Sequence, residues 1–191
     1  MRNYFKKIAA GIAAAALSLT LCGCGGKMPF TQKAPSFDTT YTVTADITYD
    51  KLNAKAELTR VNSTEWTVNF VEPKELSGLT IMLNDKKYSA SLGGLSFSAA
   101  DSAVYAAAPQ IIAKAVSLLS GAANDKLTAS DGVITFTDEI DGKRVTITAD
   151  ERTGSLISLK LPNMKLAVSF SDQKPYTPID HDEEKATLTD S

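Results

Sequence analysis

Between Phe37 and Phe170 the chain alternates apolar and polar residues in short runs, the rhythm of β-strands with one buried face. Tyr41, Val43, Ala45, Ile47 and Tyr49 fall on one side of the first run, with Thr42, Thr44, Asp46 and Thr48 on the other. Asp50 to Asn53 supplies a turn, and Ala54, Ala56 and Leu58 continue against Lys55, Glu57 and Thr59. After a second turn at Val61-Asn62-Ser63, Trp66, Val68 and Phe70 mark the inner face of a third strand. The links are too short for helical crossovers, so the three runs predict an antiparallel meander. Pro73 and Gly78 bracket a polar break that suits one helical turn or a loop. Leu79, Ile81 and Leu83 resume the alternation, Asn84-Asp85 turns it, and Lys87 to Leu92 returns. Gly93-Gly94 permits a bend, after which Leu95 and Phe97 are expected to be buried.

Asp101 to Leu119 changes period. Val104, Ala107, Ala108, Ile111, Ile112, Ala115, Val116 and Leu119 recur at spacings of three and four, the stripe of an amphipathic helix. Ser98 or Asp101 suits its N-cap and Gly121 its C-cap, while Pro109, placed inside it, is expected to kink or split it. Its polar side is thin, so it needs cover, and the concave side of a curved sheet offers the most. Strands then return at Lys126 to Ala129, Val133 to Thr137, Lys143 to Ala149, Ser155 to Leu161 and Lys165 to Phe170. Asp141-Gly142 is the strongest hairpin signal among them. Strands, one helix and strands again predict an α+β domain, a curved antiparallel sheet with one main helix packed on its concave side.

The two ends of the chain read differently. Arg2, Lys6 and Lys7 precede an apolar run from Ile8 to Leu21, and Leu21-Cys22-Gly23-Cys24 closes it, the order of a secretory leader. That ending resembles a bacterial lipobox. The resemblance implies a signal peptide over 1–23, a lipid on Cys24, and attachment to the outer face of the cytoplasmic membrane. A membrane-spanning helix is the first alternative, but the run of 14 residues is short of the roughly 20 that a bilayer requires. An ordinary cleaved signal with an incidental cysteine is the second. Lipidation at Cys22 fits less well, because Leu21 would then stand just before it where a small residue is wanted. Gly25-Gly26 and the polar stretch Lys27 to Ser36 read as a flexible tether over 24–36. At the other end, two prolines, Asp180, Asp182, Glu183 and Glu184 without apolar period predict an acidic disordered tail over 173–191. The folded domain is therefore placed at 37–172.

Composition narrows the partners. From Cys24 onward the chain has 168 residues, enough for one domain with a real core. Without the three leader cations it carries 17 lysines and arginines against 22 acids, a net of −5. That balance speaks against nucleic acid, which needs a basic footprint, and against a wide electrostatic hold on anionic headgroups. Both cysteines lie in the leader and lipobox, so the domain has neither disulfide nor thiolate site.

The layout resembles the LolA-like family, a bacterial lipoprotein-carrier fold. Three stretches carry the resemblance. They are the meander Tyr41 to Phe70, the segment Trp66-Thr67-Val68-Asn69-Phe70-Val71-Glu72-Pro73, and the closing ladder in which Ile147-Thr148-Ala149-Asp150 runs into Thr153-Gly154-Ser155-Leu156-Ile157-Ser158-Leu159. The match spans roughly Phe37 to Ser171. It implies a half-barrel closed by helical cover around an apolar cavity. Carriers of this family in proteobacteria are soluble and periplasmic, whereas the lipobox brings this chain nearer to anchored relatives in Gram-positive bacteria, some that hold or shuttle lipids and some that act as protein partners in spore germination.

Catalytic chemistry finds little footing. His181 is the sole histidine and sits among acids in the tail, where a solvated side chain is the plainer account than a catalytic base. Zinc wants Cys and His clusters, which are missing. Asp138-Glu139-Ile140-Asp141-Gly142 is the nearest approach to a calcium loop, and it reads more simply as a solvated hairpin end. His181-Asp182-Glu183-Glu184 reads as a loose anionic tail. Asp46, Glu57 and Glu65 fall on the polar side of their strands, as a wet sheet face requires, so a glycosidase pair is the weaker account. Gly93-Gly94 lacks the Lys-Ser or Lys-Thr of a phosphate loop. The expectation is a protein that is not an enzyme and uses no cofactor or metal.

The apolar side has more to offer. Trp66, Phe70, Phe97, Val104, Ile111, Ile112, Phe136 and Phe170 are the large residues expected between sheet and helix. They fill a core, or they line a cavity left open because the helix is rich in alanine (Ala103, Ala106, Ala107, Ala108, Ala113, Ala115). The second account makes the chain a carrier for a lipid or lipoprotein acyl chain. The first makes it an anchored scaffold for an envelope or germination protein.

Overall fold

The computed structural model describes residues 28–29, 34–37, 39–84, 87–100 and 108–177, with the side chains of 28–29 and 97–100 set aside. Alternation becomes strand wherever turn chemistry brackets it. The first meander comprises β2 (Tyr41–Tyr49), β3 (Leu52–Arg60), β4 (Glu65–Glu72), β5 (Thr80–Asn84), β6 (Lys87–Leu92) and β7 (Leu95–Ala100). The second comprises β8 (Leu127–Ser130), β9 (Val133–Ile140), β10 (Lys143–Asp150), β11 (Leu156–Leu161) and β12 (Leu166–Pro175). A two-residue strand, β1 (Met28–Pro29), precedes them. One α-helix among the described residues, α1 (Ala108–Ser120), separates the meanders. It is shorter than a membrane span, and no described helix is long and apolar enough to cross one.

All twelve described strands join one antiparallel sheet in the order β1-β8-β9-β10-β11-β12-β2-β3-β4-β5-β6-β7. The sheet is curved and unclosed. The decisive pairing is β12 with β2, running from Leu166 opposite Tyr49 to Pro175 opposite Tyr41, which welds the two meanders edge to edge. Inward positions follow the period-two pattern strand after strand: Val43, Ala45 and Ile47; Ala54, Ala56 and Leu58; Trp66, Val68 and Phe70; Val145, Ile147 and Ala149. A register shift where β10 meets β11 lets Leu156 and Leu159 both face inward with Ile157 turned out.

Helix α1 lays Ile111, Ile112, Ala115, Val116 and Leu119 on this inner face, mainly over β9 and β10. Polar ties hold it. The Lys114 ammonium donates to Asp141 in the β9–β10 turn at 2.9 Å, the Ser117 hydroxyl to the Ser63 carbonyl in the β3–β4 turn at 2.9 Å, and the Ser120 hydroxyl to the Phe37 carbonyl at 3.0 Å. The helix thus bridges from one meander to the other.

Several expectations change. The helix is described from Ala108, with Pro109 second in it, and residues 101–107, over which the helix was expected to begin, lie outside the described ones. Gly121 follows the helix without entering the left-handed region, and its N–H simply bonds the Ser117 carbonyl at 3.2 Å. Leu95 is 78% exposed, because it sits at the tip of the β6–β7 hairpin with no described element beside it. Met28–Pro29 pairs with β8 inside the stretch read as tether. The β12 ladder runs to Pro175, past the expected start of the tail at 173, and Tyr176 N–H bonds the Thr40 carbonyl.

Candidate functional site

The concave face of the sheet is the site the sequence singled out. Trp66, Phe70, Ile111, Ile112, Phe136 and Phe170 all belong to one contiguous buried cluster there. Trp66, Ile112 and Phe136 are almost wholly enclosed. Phe97 lies in β7, in register with Ala90, and its side chain is among those set aside. Val104 and Cys24 lie outside the described residues.

The floor of the face is graded in size. On the β2–β3 pair, Val43 stands opposite Leu58, Ala45 opposite Ala56 and Ile47 opposite Ala54. Alanines therefore form the middle of the floor, flanked by Phe70 from β4 and Phe170 from β12, which pair with Ala56 and Ala45 respectively.

One end of this floor is polar, and that end was not foreseen. Tyr41, Arg60 and Trp66 stand side by side in register across β2, β3 and β4. All three are at most 3% exposed. The Tyr41 and Trp66 rings meet edge to face with centroids 6.0 Å apart, and the Arg60 guanidinium carbon lies 5.9 Å from the Trp66 ring. Arg60 Nη1 donates to the Phe37 carbonyl at 3.2 Å and the Thr39 carbonyl at 2.7 Å, tying the lead-in segment to the sheet. Tyr41 Oη and Trp66 Nε1 are buried without a hydrogen-bond partner among the described residues. A buried donor left unmet costs about 1–3 kcal/mol. Burial pushes the Tyr41 phenol well above its ordinary value, while the Arg60 charge pulls weakly the other way, so Tyr41 stays a protonated donor. The signal for this row is visible in retrospect: Arg60 falls two residues beyond Leu58, on the inward register of a strand whose other inward residues are apolar.

Two open clefts border the face. One of about 630 Å³ is bounded by Thr39, Thr40, Tyr41, Gln173 and Lys174. The other, of about 280 Å³, lies by Ile47, Ala54, Lys55 and Glu72.

Asp46, Glu65, Asp138 and Asp141, weighed for catalysis or a metal, have structural partners. Asp46 lies 3.9 Å from the Lys55 ammonium, and Glu65 accepts from the Asn62 amide at 3.1 Å. Asp138 and Asp141 each receive a lysine, Lys126 at 2.8 Å and Lys114 at 2.9 Å. Those hydrogen bonds hold both carboxyls below the usual range. Asp150 is held low by the Thr153 hydroxyl and amide in the β10–β11 turn. Glu57 is exposed, and His181 lies outside the described residues. Among the described residues no three His, Cys, Asp or Glu side chains gather as a metal site would require.

No protein-family profile matches the chain, and no curated protein matches it in sequence. Solved structures do align with it. An uncharacterized conserved protein from Thermus thermophilus is 10% identical over 80% of this chain and 88% of its own, with a TM-score of 0.48. A LolA superfamily protein from Nitrosomonas europaea is 8% identical over 75% of this chain and 89% of its own, with a TM-score of 0.35. A DUF1329 family protein from Desulfovibrio piger is 10% identical over 76% and 88%, with a TM-score of 0.39.

Proposed function

We propose that this chain is a membrane-anchored extracytoplasmic lipoprotein, LolA-like in design, that holds an acyl chain against the concave face of its sheet. Cys24 carries the lipid anchor, and the protein acts by binding, without catalysis, metal or cofactor. The observation that carries the reading is the floor itself. Ala45, Ala54 and Ala56 are buried at its centre, beneath a curved sheet covered by a single described helix that also turns Ala108 and Ala115 inward. Small side chains on both walls would give an acyl chain room once the closed packing between sheet and helix opens, and larger ones would give less. An acyl chain fills such room without any polar motif, since each buried methylene contributes about 0.8 kcal/mol. The test is to purify the full chain in a lipid-free detergent, extract it gently and examine the extract by mass spectrometry. Roughly stoichiometric acyl lipid is expected beyond the covalent anchor. Recovery of none, together with no uptake of a fluorescent fatty acid, overturns the reading.

A second reading keeps the anchor and makes the domain a scaffold for an envelope or spore-germination protein. Its support is the β6–β7 hairpin, where Leu92 and Leu95 are exposed at the tip. Crosslinking from position 95 in cells separates the two, because a scaffold gives one discrete protein adduct and a carrier does not need one.

A further inference from the structure

We propose that Tyr41 Oη and Trp66 Nε1 form the polar pole of the concave face and bind the oxygen head of an acyl ligand, its carboxylate or its ester carbonyl. The inference rests on the acyl-binding reading above and adds to it the class of ligand and the direction in which it lies.

The argument begins with the two donors. An indole N–H can only donate, so Trp66 needs an acceptor, and Tyr41, kept protonated by burial, offers a second donor beside it. Their rings are in edge-to-face contact, both side chains are more than nine-tenths buried, and neither donor has a hydrogen-bond partner among the described residues. Buried donors in folded proteins are nearly always met, so a pair left unmet on adjacent rings marks a place where an acceptor belongs. Arg60 stands between them in register.

The surroundings say what else the ligand has. Behind the donor row, toward the far ends of β2, β3 and β4, the inward residues are Val43, Leu58 and Val68, then Ala45, Ala56 and Phe70. That stretch has no polar side chain on its inner face, and its residues are packed shut, so a methylene tail enters there by displacing apolar neighbours alone. On the other side, Tyr41 borders the open cleft of about 630 Å³ with Thr39, Thr40, Gln173 and Lys174. An amphiphile laid along this axis has its oxygens at the donors, its tail over the alanines and any larger head in the cleft. A plain hydrocarbon leaves the donors unmet.

The sole tryptophan makes the direction measurable. The full chain, purified and delipidated, is titrated with hexadecanoate brominated at C2, hexadecanoate brominated at C16, and 1-bromohexadecane, with bromine quenching of Trp66 fluorescence as one readout and equilibrium dialysis as the other. The C2 bromide is expected to quench several-fold more than the C16 bromide at equal occupancy. Tyr41→Phe is expected to weaken binding of both acids about 3- to 10-fold while leaving 1-bromohexadecane unchanged. Methyl 2-bromohexadecanoate separates the two sources of the oxygen: retained affinity assigns the pole to an ester carbonyl, lost affinity assigns it to a free carboxylate, and either supports the pole. Stronger quenching from C16 than from C2, or a Tyr41→Phe protein that binds the acids as tightly as the parent, overturns it. If none of the ligands is taken up, the acyl-binding reading itself has failed, which is a different result from uptake without preference for the head.

Discussion

At the residue scale, the polar row and the turn glycines make opposite demands on stability. Tyr41 places an unmet hydroxyl in the core, so Tyr41→Phe removes a cost rather than a bond and is expected to stabilise the delipidated protein by about 1 kcal/mol. The phenol's folded value is raised above the 10.0 of the free group. Its contribution is therefore present in full below pH 10.0 and lost as pH rises beyond it toward the folded value. Denaturant melts of the parent should fall away above that pH, and those of Tyr41→Phe should fall away less. Gly154 behaves in the other sense. Its φ is +73°, and an added Cβ would stand 3.2 Å from Pro35 Cβ and 3.3 Å from the Ser36 carbonyl. Gly142 in the β9–β10 turn has φ +71° but open space around it. Both alanine variants strain the backbone by about 1 kcal/mol. Gly154→Ala should lose measurably more in urea denaturation, because it also pushes the lead-in segment off the β10–β11 turn. A loss equal to that of Gly142→Ala would show that this contact carries no weight.

At the element scale, α1 is the piece on which the concave face depends. Its apolar stripe was readable, because Ile111, Ile112, Ala115, Val116 and Leu119 recur at helical spacing and all are buried. What it covers was not readable, since its neighbours β9 and β10 come after it and its tie at Ser63 comes long before. The three polar ties should differ in worth. Ser120 shares its hydroxyl between the Phe37 and Val116 carbonyls in a partly buried place. Ser120→Ala is expected to cost about 1 kcal/mol in thermal or urea melts. Lys114 and Asp141 form an exposed pair whose attraction water and salt screen. Lys114→Ala should leave the midpoint unmoved, at low salt and at high.

At the scale of the whole molecule, the proposed anchor at Cys24 would set where the domain works. Cys24→Ser in the full chain should abolish labelling by radioactive palmitate and move the protein from the detergent phase to the aqueous phase in cloud-point partitioning. Retention in the detergent phase without label would point instead to the leader staying in place as the membrane attachment. The weld of β12 to β2 belongs to this scale too. Leu166 pairs with Tyr49 across more than a hundred residues of chain, and that one ladder turns two separate meanders into a single curved wall. No local pattern announces it, because alternation tells a strand which way to face and not which strand to lie beside.

The amino-acid sequence by itself determined the strands, most of their inward residues and the apolar stripe of the described helix. Each of these is set by neighbours within a few positions: period two, period three to four, turn residues. The tertiary structure alone decided the strand order, the placing of α1 across both meanders, and the meeting of Tyr41, Arg60 and Trp66 in one buried row. β2 and β3 are joined at Asp50-Lys51 and β3 and β4 at 61–64, but whether a charged residue on an inward register is buried depends on what the rest of the chain lays over it. That cover is long-range, and so the polar pole came into view only when the sheet was seen curved.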